Sequence, residues 1–301
     1  MKKRRPFFSI IIPTYNRPVQ LGSCLKAISL LDYPRDCFEV IVVDDGSQKS
    51  PEAVVVFYQN LFDLTLVICE HAGPADARNT GASRARGKFL AFTDDDCMPA
   101  SCWLQKLAKR FEETSDCAIG GLTVNVLHDN LCSIASQLLI DYLYTYYNED
   151  ANHARFLTSN NFALPDESFH ELKGFDNITF LRAAGEDREF CDRLLHHGCR
   201  VVYVPEALVF HRHELTFSAY LQQHFNYGRG AFHFHQKRYL RDKEPVRIEP
   251  ASFYIQLIRY PFLKVKGRWP LMLAFLLIVS QIANAAGFYA EWISRITKKN
   301  N

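Results

Sequence analysis

The amino-acid sequence predicts an α/β protein with a mostly parallel sheet flanked by helices and a C-terminal helical, hydrophobic extension. Three observations lead to this fold class. Apolar runs of strand length recur in the first hundred residues, segments with helical periodicity separate them, and about 22 positions without charge lie near the end of the chain. Buried strands that alternate with helices favour parallel pairing with right-handed crossovers.

The predicted elements follow the hydrophobic pattern of the sequence. Apolar, β-rich runs predict strands over residues 7–12, 38–43, 64–69, 88–93, 117–127, 160–164 and 200–204. Helical spacing of apolar residues predicts helices over residues 18–31, 75–86, 100–111, 131–147, 185–195 and 217–241, with a further helix beginning at Pro51. Ligands of such sheets bind beyond the carboxyl ends of the strands, where three clusters of polar residues lie in this sequence.

The last sixty residues differ from the rest, so we expect two regions, residues 1–240 and residues 241–301. Residues 242–268 resemble a linker that carries an amphipathic piece, and residues 269–290 are apolar for long enough to span a bilayer. Ser280, Asn284, Gly287 and Glu291 share one face of this helix, which also fits a helix that lies on the membrane or packs against a partner. A buried core helix is the remaining interpretation. We expect attachment to the cytoplasmic face of the cell membrane through this helix.

The near-equal numbers of basic and acidic residues argue against a nucleic-acid-binding protein. Lys and Arg number 35 and Asp and Glu number 33, a formal net charge of +2, which does not favour binding to nucleic acid. Nine cysteines are scattered without a C-x-x-C pair, which fits neither a disulfide framework nor a zinc knuckle and favours a reducing compartment.

Three consecutive carboxylates, Asp94, Asp95 and Asp96, follow the predicted strand at 88–93. Adjacent carboxylates repel one another, and a cation or several hydrogen-bond donors relieve that repulsion. The D-x-D spacing of Asp94 and Asp96 lets one or both reach a single Mg²⁺ or Mn²⁺ ion. The alternative is an acidic turn that caps the helix predicted at 100–111.

Two further polar groups follow predicted strands. Asp44 and Asp45, before Gly46, either form a simple turn or accept hydrogen bonds from a nucleobase or ribose. Arg78 is either a surface residue or a planar donor to a diphosphate.

A last group lies in the second half of the chain. Asp187 follows Glu186 at a predicted helix start, where an acidic pair is favourable through the helix dipole alone and where it also suits a general base. His211 follows a strand-like run and is either structural or a metal ligand.

Four motifs, in this order, resemble those of the family 2 glycosyltransferases of GT-A fold. Their sequences are SIIIPTYNR, VDDGS, ARNTG leading to DDD, and GFD followed by GED, at residues 9–17, 43–47, 77–96 and 174–187. The likeness covers about residues 7–212. Processive members carry a Q-x-x-R-W motif, and residues 222–230 lack it, so we expect transfer of a single sugar.

The resemblance implies an inverting transfer from a nucleoside diphosphate sugar, with a UDP-sugar favoured, to a hydroxyl acceptor. It implies that Asp94, Asp96 and His211 hold Mg²⁺ or Mn²⁺ and that Asp187 is the catalytic base. The nucleotide-binding residues that it implies are Thr14, Tyr15, Asp44, Asp45, Arg78 and Asp95.

Two alternative functions belong to other classes. A sugar nucleotidyltransferase would need a glycine-rich basic loop after the first strand, and residues 13–18 contain only Arg17 and no glycine. A non-catalytic membrane-associated binding protein would not need four acidic clusters at strand ends and helix starts. For the enzyme, the C-terminal helix favours a lipid-linked or membrane-proximal acceptor, as in cell-surface polysaccharide or glycolipid synthesis.

Overall fold

A computed structural model of the chain describes residues 5–180 and 184–299. The chain divides into two units, each built from several segments. Unit 1 comprises residues 1–126, 147–177 and 187–212, and unit 2 comprises residues 127–146, 178–186 and 213–301. The boundary expected after residue 240 stays a prediction.

Eight strands within the described residues form one sheet, which belongs to unit 1. The strands are β1 Phe8–Thr14, β2 Phe38–Asp44, β3 Leu64–Ile68, β4 Phe89–Thr93, β5 Cys97–Pro99, β6 Cys117–Asn125, β7 Asn161–Pro165 and β8 Arg200–His211. Their order in the sheet is β3-β2-β1-β4-β7-β6-β8-β5. Strands β3, β2, β1 and β4 are parallel to their neighbours in that series, as are β6 and β8, whereas β7 and β5 are antiparallel to theirs.

Ten α-helices lie in the described part of the chain. They are α1 Pro18–Ser29, α2 Glu52–Gln59, α3 Pro74–Ala82, α4 Trp103–Glu113, α5 Leu131–Tyr147, α6 Asp166–Glu171, α7 Glu186–His196, α8 Phe217–Asp242, α9 Ala251–Lys264 and α10 Pro270–Lys299. Short 3₁₀ turns occur at residues 35–37 and 151–153. The predicted fold class is confirmed: the sheet is mostly parallel and is flanked by helices, and an apolar helix lies at the C-terminal end.

The central strands are buried along their whole length, as their continuous apolar runs predict. Every residue of β1 and β2 is buried. Large side chains from both strands and from α1 and α4 form the main core of unit 1, with Trp103 at 0% exposure. Several predicted boundaries differ from the structure. Helix α3 ends at Ala82 rather than at 86, α4 spans Trp103–Glu113 rather than 100–111, and β8 runs on to residue 211. Helix α9 lies in the region where the sequence predicts a linker with an amphipathic piece.

The register of the parallel strands sets the position of the functional residues. Thr14 pairs with Asp44, and Asp44 pairs with Ile68, so β1, β2 and β3 end at the same level of the sheet. The loops after these strands therefore leave from one edge, the edge at which ligands of parallel sheets bind.

Unit 2 contains helices α8, α9 and α10. Within the described residues, α10 is the one helix long and apolar enough to cross a membrane, over Pro270–Thr297, and 33% of its most apolar stretch is buried. The core of this unit joins residues of α5, α8, α9 and α10, among them Tyr220, Leu257, Leu273 and Leu277.

Candidate functional site

The three consecutive aspartates lie in the turn between β4 and β5. The central one, Asp95, is 3% exposed, and its Oδ2 accepts a hydrogen bond of 2.8 Å from Thr14 Oγ1 at the end of β1. Burial raises the pKa of Asp95 to about 6, and the neighbouring Arg17 guanidinium opposes that rise. The three aspartates do not cap a helix, as the alternative interpretation proposed, because α4 begins only at Trp103 and has Cys102 as its N-cap residue.

Arg17 supplies positive charge to this turn. Its Nη1 lies 3.3 Å from Asp95 Oδ1 and 3.1 Å from Asp96 Oδ2. The guanidinium is about half exposed, at 48%, whereas both carboxylates are buried. The arginine therefore offsets part of the repulsion between two carboxylates that the fold holds out of water.

Asp96 faces His211 across the antiparallel pair β5 and β8. Cys97 is the direct partner of His211 in the register, and this pairing brings His211 Nε2 to 3.2 Å from Asp96 Oδ1. Ligand atoms of Asp96, Cys97 and His211 all lie within 4.8 Å of one another. Burial and the nearby carboxylates raise the pKa of the Cys97 thiol well above its usual value.

Arg78 and Asp94 form an ion pair at the same edge. Arg78 Nη2 lies 2.7 Å from Asp94 Oδ1, and the arginine side chain is 4% exposed while that of Asp94 is 29% exposed. The next residue, Asn79, exchanges two hydrogen bonds with the backbone of Phe175, at 2.8 and 2.9 Å. These bonds tie the helix that carries Arg78 to the segment that contains the GFD sequence.

The paired aspartates at the end of β2 have separate contacts. Asp44 Oδ1 accepts a hydrogen bond from the Ser47 amide at 3.0 Å, which is the turn interaction considered from the sequence. Asp45 accepts hydrogen bonds from the amides of Ala72 and Gly73, and its Oδ2 lies 2.9 Å from His71 Nδ1. This carboxylate therefore holds the loop after β3 against the end of β2.

An aromatic pair lies beside Asp45. The ring of Tyr15 stacks on the imidazole of His71 with centroids 4.3 Å apart and an angle of 19° between the planes. Tyr15 is 41% exposed, and the His71 side chain is 57% exposed. The rings of Tyr15 and His71 are thus partly exposed to solvent and lie next to the buried carboxylate of Asp45.

Asp187 stands on a different element, in the first turn of α7, where the sequence predicts it. Its side chain is partly exposed, and Oδ1 accepts a hydrogen bond of 2.7 Å from the Arg188 amide. It is not among the residues that the contacts above join. The helix-dipole interpretation and the general-base interpretation of this residue both fit its position.

Three residues of this edge were not assigned to the site from the sequence. Arg17 lies two residues beyond Tyr15, Cys97 follows the last aspartate of the D-x-D, and His71 lies shortly after the end of β3. Arg17 and His71 occupy loops at the carboxyl ends of predicted strands, so a search of every such loop for charged or aromatic residues would have found them. Cys97 begins β5, a strand that the sequence did not predict.

Two family descriptions match the sequence. Residues 9–173 match Glycosyl transferase family 2, and residues 94–293 match Glycosyl transferase family group 2. The first match covers more than half of the chain and includes the ends of β1, β2, β3 and β4.

Curated relatives carry names of the same kind. Glycosyltransferase AglE of Haloferax volcanii is 35% identical over 123 residues, 40% of each chain. The pre-mycofactocin glycosyltransferase of Mycobacterium tuberculosis is 27% identical over 228 residues, which are 74% of this chain and 46% of that protein. An uncharacterized glycosyltransferase of Haemophilus influenzae is 31% identical over 212 residues, 67% of each chain. The chain thus spans less than half the length of the first two relatives.

Solved structures share the fold. Mannosyltransferase PcManGT from Pyrobaculum calidifontis, in complex with GDP-Man and Mn²⁺, superposes with a TM-score of 0.63 and 22% identity over 97% of this chain and 81% of that chain. S. aureus TarS 1–349, in complex with UDP-GlcNAc, superposes with a TM-score of 0.61 and 16% identity over 97% and 92%.

Proposed function

The chain belongs to glycosyl transferase family 2, and on this basis we propose that it is an inverting glycosyltransferase that moves a single sugar from a nucleoside diphosphate sugar to a hydroxyl acceptor. One observation carries this proposal. The buried Thr14–Asp95 pair, Arg17 and the Asp96–His211 pair meet at the carboxyl edge of a mostly parallel sheet, where such proteins bind their ligands.

The nucleotide end of the donor is assigned to the aromatic and acidic residues after β1 and β2. Tyr15 offers an exposed ring on which a base can stack, and the buried Asp44 and Asp45 offer carboxylates to the base or ribose. Thr14 and Asp95 are assigned to the part of the site between this end and the diphosphate. Arg78 is a buried, cationic and planar donor, and in this proposal it exchanges its ion pair with Asp94 for the donor's diphosphate. A UDP-sugar is the favoured donor.

A divalent cation completes the site in this proposal. The residues fit one, because Asp96 and His211 already face each other at 3.2 Å and a buried carboxylate is stabilised by a cation. A carboxylate with an imidazole suits Mn²⁺ better than Mg²⁺, which takes oxygen ligands and keeps its waters. Asp94 joins the set through the D-x-D spacing. When bound, the ion would neutralise the charge of the leaving diphosphate.

Asp187 is the proposed general base. It would accept the proton of the acceptor hydroxyl while the hydroxyl oxygen attacks the anomeric carbon and the bond to the diphosphate breaks, which inverts the configuration at that carbon. A general base contributes about 10²–10⁴-fold to the rate. We therefore expect Asp187→Asn to lower kcat by that factor and to leave the Kd for UDP unchanged.

Asp192→Asn is the matched control for that variant, because it makes the same chemical change five residues along the same helix. We expect it to keep the wild-type kcat. A wild-type kcat in Asp187→Asn would refute the assignment of the base.

The acceptor is proposed to be lipid-linked or close to the membrane, with the chain attached to the cytoplasmic face through α10. The functional test is a screen of UDP- and GDP-sugars with and without Mn²⁺, using short-chain polyprenyl phosphates and simple glycosides as acceptors. Release of nucleoside diphosphate together with a glycosylated product supports the proposal. Release of pyrophosphate from a nucleoside triphosphate would instead identify a nucleotidyltransferase.

A further inference from the structure

One face of α10 is an exposed row of large apolar side chains. Their exposed fractions range from 39% to 74%, and their spacings of three, four or seven residues place them on one side of the helix. We call this row the apolar stripe; it consists of Leu271, Phe275, Ile278, Ile282, Tyr289 and Ile293. It extends over about 33 Å of helix. An exposed apolar row of this length indicates a surface that another phase or molecule covers.

The opposite face of α10 packs closely on α8 within unit 2. A Cβ on Gly228 of α8 would lie 1.8 Å from the Asn284 carbonyl oxygen, and a Cβ on Gly287 of α10 would lie 1.9 Å from the Phe225 carbonyl oxygen. Because neither glycine carries a Cβ, the two backbones can approach more closely than any larger residue at these positions would allow. The backbones of α8 and α10 therefore lie close together at Asn284 and Gly287, around the middle of α10.

Polar contacts reinforce the same face. Glu291 Oε2 lies 2.8 Å from Arg229 Nε, and Glu291 Oε1 lies 3.1 Å from His233 Nε2. Near the other end, Tyr220 Oη donates a 2.9 Å hydrogen bond to the Leu276 carbonyl. If α10 crossed a bilayer in this packing, it would carry Arg229 and the other polar residues of α8 into hydrocarbon, which is costly. The packing instead suits a helix that lies in the membrane plane.

Cations and aromatic rings border the stripe. Lys264, Lys266 and Arg268 are exposed just before α10, Arg268 lies 4.3 Å from the ring centroid of Trp269, and Arg295 is exposed near the other end. Residues 251–299 contain seven Lys or Arg and a single acidic residue, Glu291, which is paired with Arg229. A surface with this charge is complementary to anionic lipid headgroups.

From this arrangement we infer that the apolar stripe of α10 docks in the plane of one leaflet of an anionic lipid bilayer, with α8 on the side away from the lipid. The inference deepens the proposed membrane attachment and specifies its geometry. A second copy of the chain is the less suitable occupant, because pairing two stripes in either direction brings their cationic ends together.

The first test measures binding of the full chain to vesicles of phosphatidylcholine with about one-third phosphatidylglycerol, compared with phosphatidylcholine alone. We expect tighter binding to the anionic vesicles, weakened by salt. Phe275→Glu with Ile282→Glu should reduce binding by about tenfold or more. Phe57→Glu is the matched control, since Phe57 is 71% exposed on α2 of unit 1, and we expect it to bind as the wild type does.

The second test measures depth in the bilayer. The background chain carries Trp269→Phe and Trp292→Phe, so that the fully buried Trp103 is its one remaining tryptophan and gives a constant signal. Three variants of this chain each add one tryptophan on the stripe: Leu271→Trp, Ile282→Trp or Ile293→Trp. Lipids brominated at shallow or deep positions then quench each new tryptophan. A helix in the plane gives the same shallow depth at all three positions. A spanning helix would give its deepest quenching at position 282, which lies about 16 Å along the axis from either neighbour.

Each outcome decides the proposal. Unchanged vesicle binding in the double glutamate variant overturns it, as does deep quenching at position 282. A dimer in light scattering that the glutamates dissociate, without vesicle binding, assigns the stripe to a second copy and also overturns it. Turnover of a soluble acceptor, measured in parallel, reports on the glycosyltransferase proposal separately, because the apolar stripe contains none of the residues proposed for transfer.

Discussion

His224 of α8 makes the stability of this protein depend on pH in a calculable way. It is 1% exposed, and neither ring nitrogen has a hydrogen-bond partner within the described residues. Its ring meets Tyr220 and Tyr227 edge to face, with centroids 4.3 and 5.5 Å away. Burial lowers the pKa of His224 from 6.5 to about 4, because nothing around the ring stabilises its charged form.

The sign and size of the effect follow from proton binding. Between pH 6.5 and about 4, the unfolded chain protonates this histidine and the folded chain does not, so stability falls as the pH is lowered through that range. At 1.36 kcal/mol per pH unit, the loss is about 2 kcal/mol at pH 5 and about 3 kcal/mol at pH 4. His233 also has its pKa lowered by burial, opposed by Glu291, so the wild type carries a further loss of the same sign.

Comparison of the wild type with His224→Leu isolates the contribution of this one residue. Urea unfolding followed by far-UV circular dichroism, at about pH 7.5 and about pH 5, should show a loss smaller by about 2 kcal/mol in the variant. At neutral pH the variant should be at least as stable, because it removes two buried nitrogens without partners. Gln222→Leu, on the exposed side of α8, is the control and should keep the wild-type pH dependence. The same loss in His224→Leu as in the wild type, within about 0.5 kcal/mol, would show that His224 is not the source of this pH dependence.

Two further predictions test packing and charge. Gly287→Val should lower the free energy of unfolding by about 2–3 kcal/mol, because the new Cβ would overlap the Phe225 carbonyl oxygen. Ala285→Val, on the exposed side of α10, is the control and should have little effect. Equal urea midpoints for the two variants would contradict the close approach of the helices. Arg17→Met should lower the free energy of unfolding by about 1 kcal/mol in a chelating buffer, because it leaves the Asp96 carboxylate with less positive charge nearby. Added Mn²⁺ should then raise the melting temperature of this variant more than that of the wild type. An equal effect of Mn²⁺ on the two proteins would show that the arginine and the ion do not serve the same carboxylates.

The sequence predicts most of the sheet because the central strands are covered on both faces. The continuous apolar runs of β1 and β2 are typical of strands buried on both faces, so the sequence predicts these strands well. Once the strands are predicted, the polar residues that follow them are placed at the strand ends. The predicted strand at residues 200–204 stops just before Pro205, a residue that cannot donate a hydrogen bond to a neighbouring strand. The structure continues the strand: β6 pairs with β8 at Gly121 and Val204 and again at Thr123 and Val209, so the proline lies within a bulge.

The contacts of the site are less predictable than its residues. The D-x-D and His211 are visible in the sequence, but their approach depends on β5, a strand of three residues that no periodicity indicates. Arg17 and His71 lie on loops, and their partners Asp96 and Asp45 become neighbours only when separate strand ends meet at one edge. Likewise, the sequence shows that Ser280, Asn284, Gly287 and Glu291 share one face of α10, but it does not indicate that this face packs against α8.

In the proposed site, Asp96 and His211 hold a divalent cation that binds together with a nucleoside diphosphate. Isothermal titration of UDP and of GDP into the wild type and into Asp96→Asn, each with and without Mn²⁺, tests this most directly. We expect one of the nucleotides to bind the wild type much more tightly with Mn²⁺, and we expect Asp96→Asn to lose this difference. Equal affinity of the wild type with and without Mn²⁺, or an undiminished Mn²⁺ effect in Asp96→Asn, would contradict it.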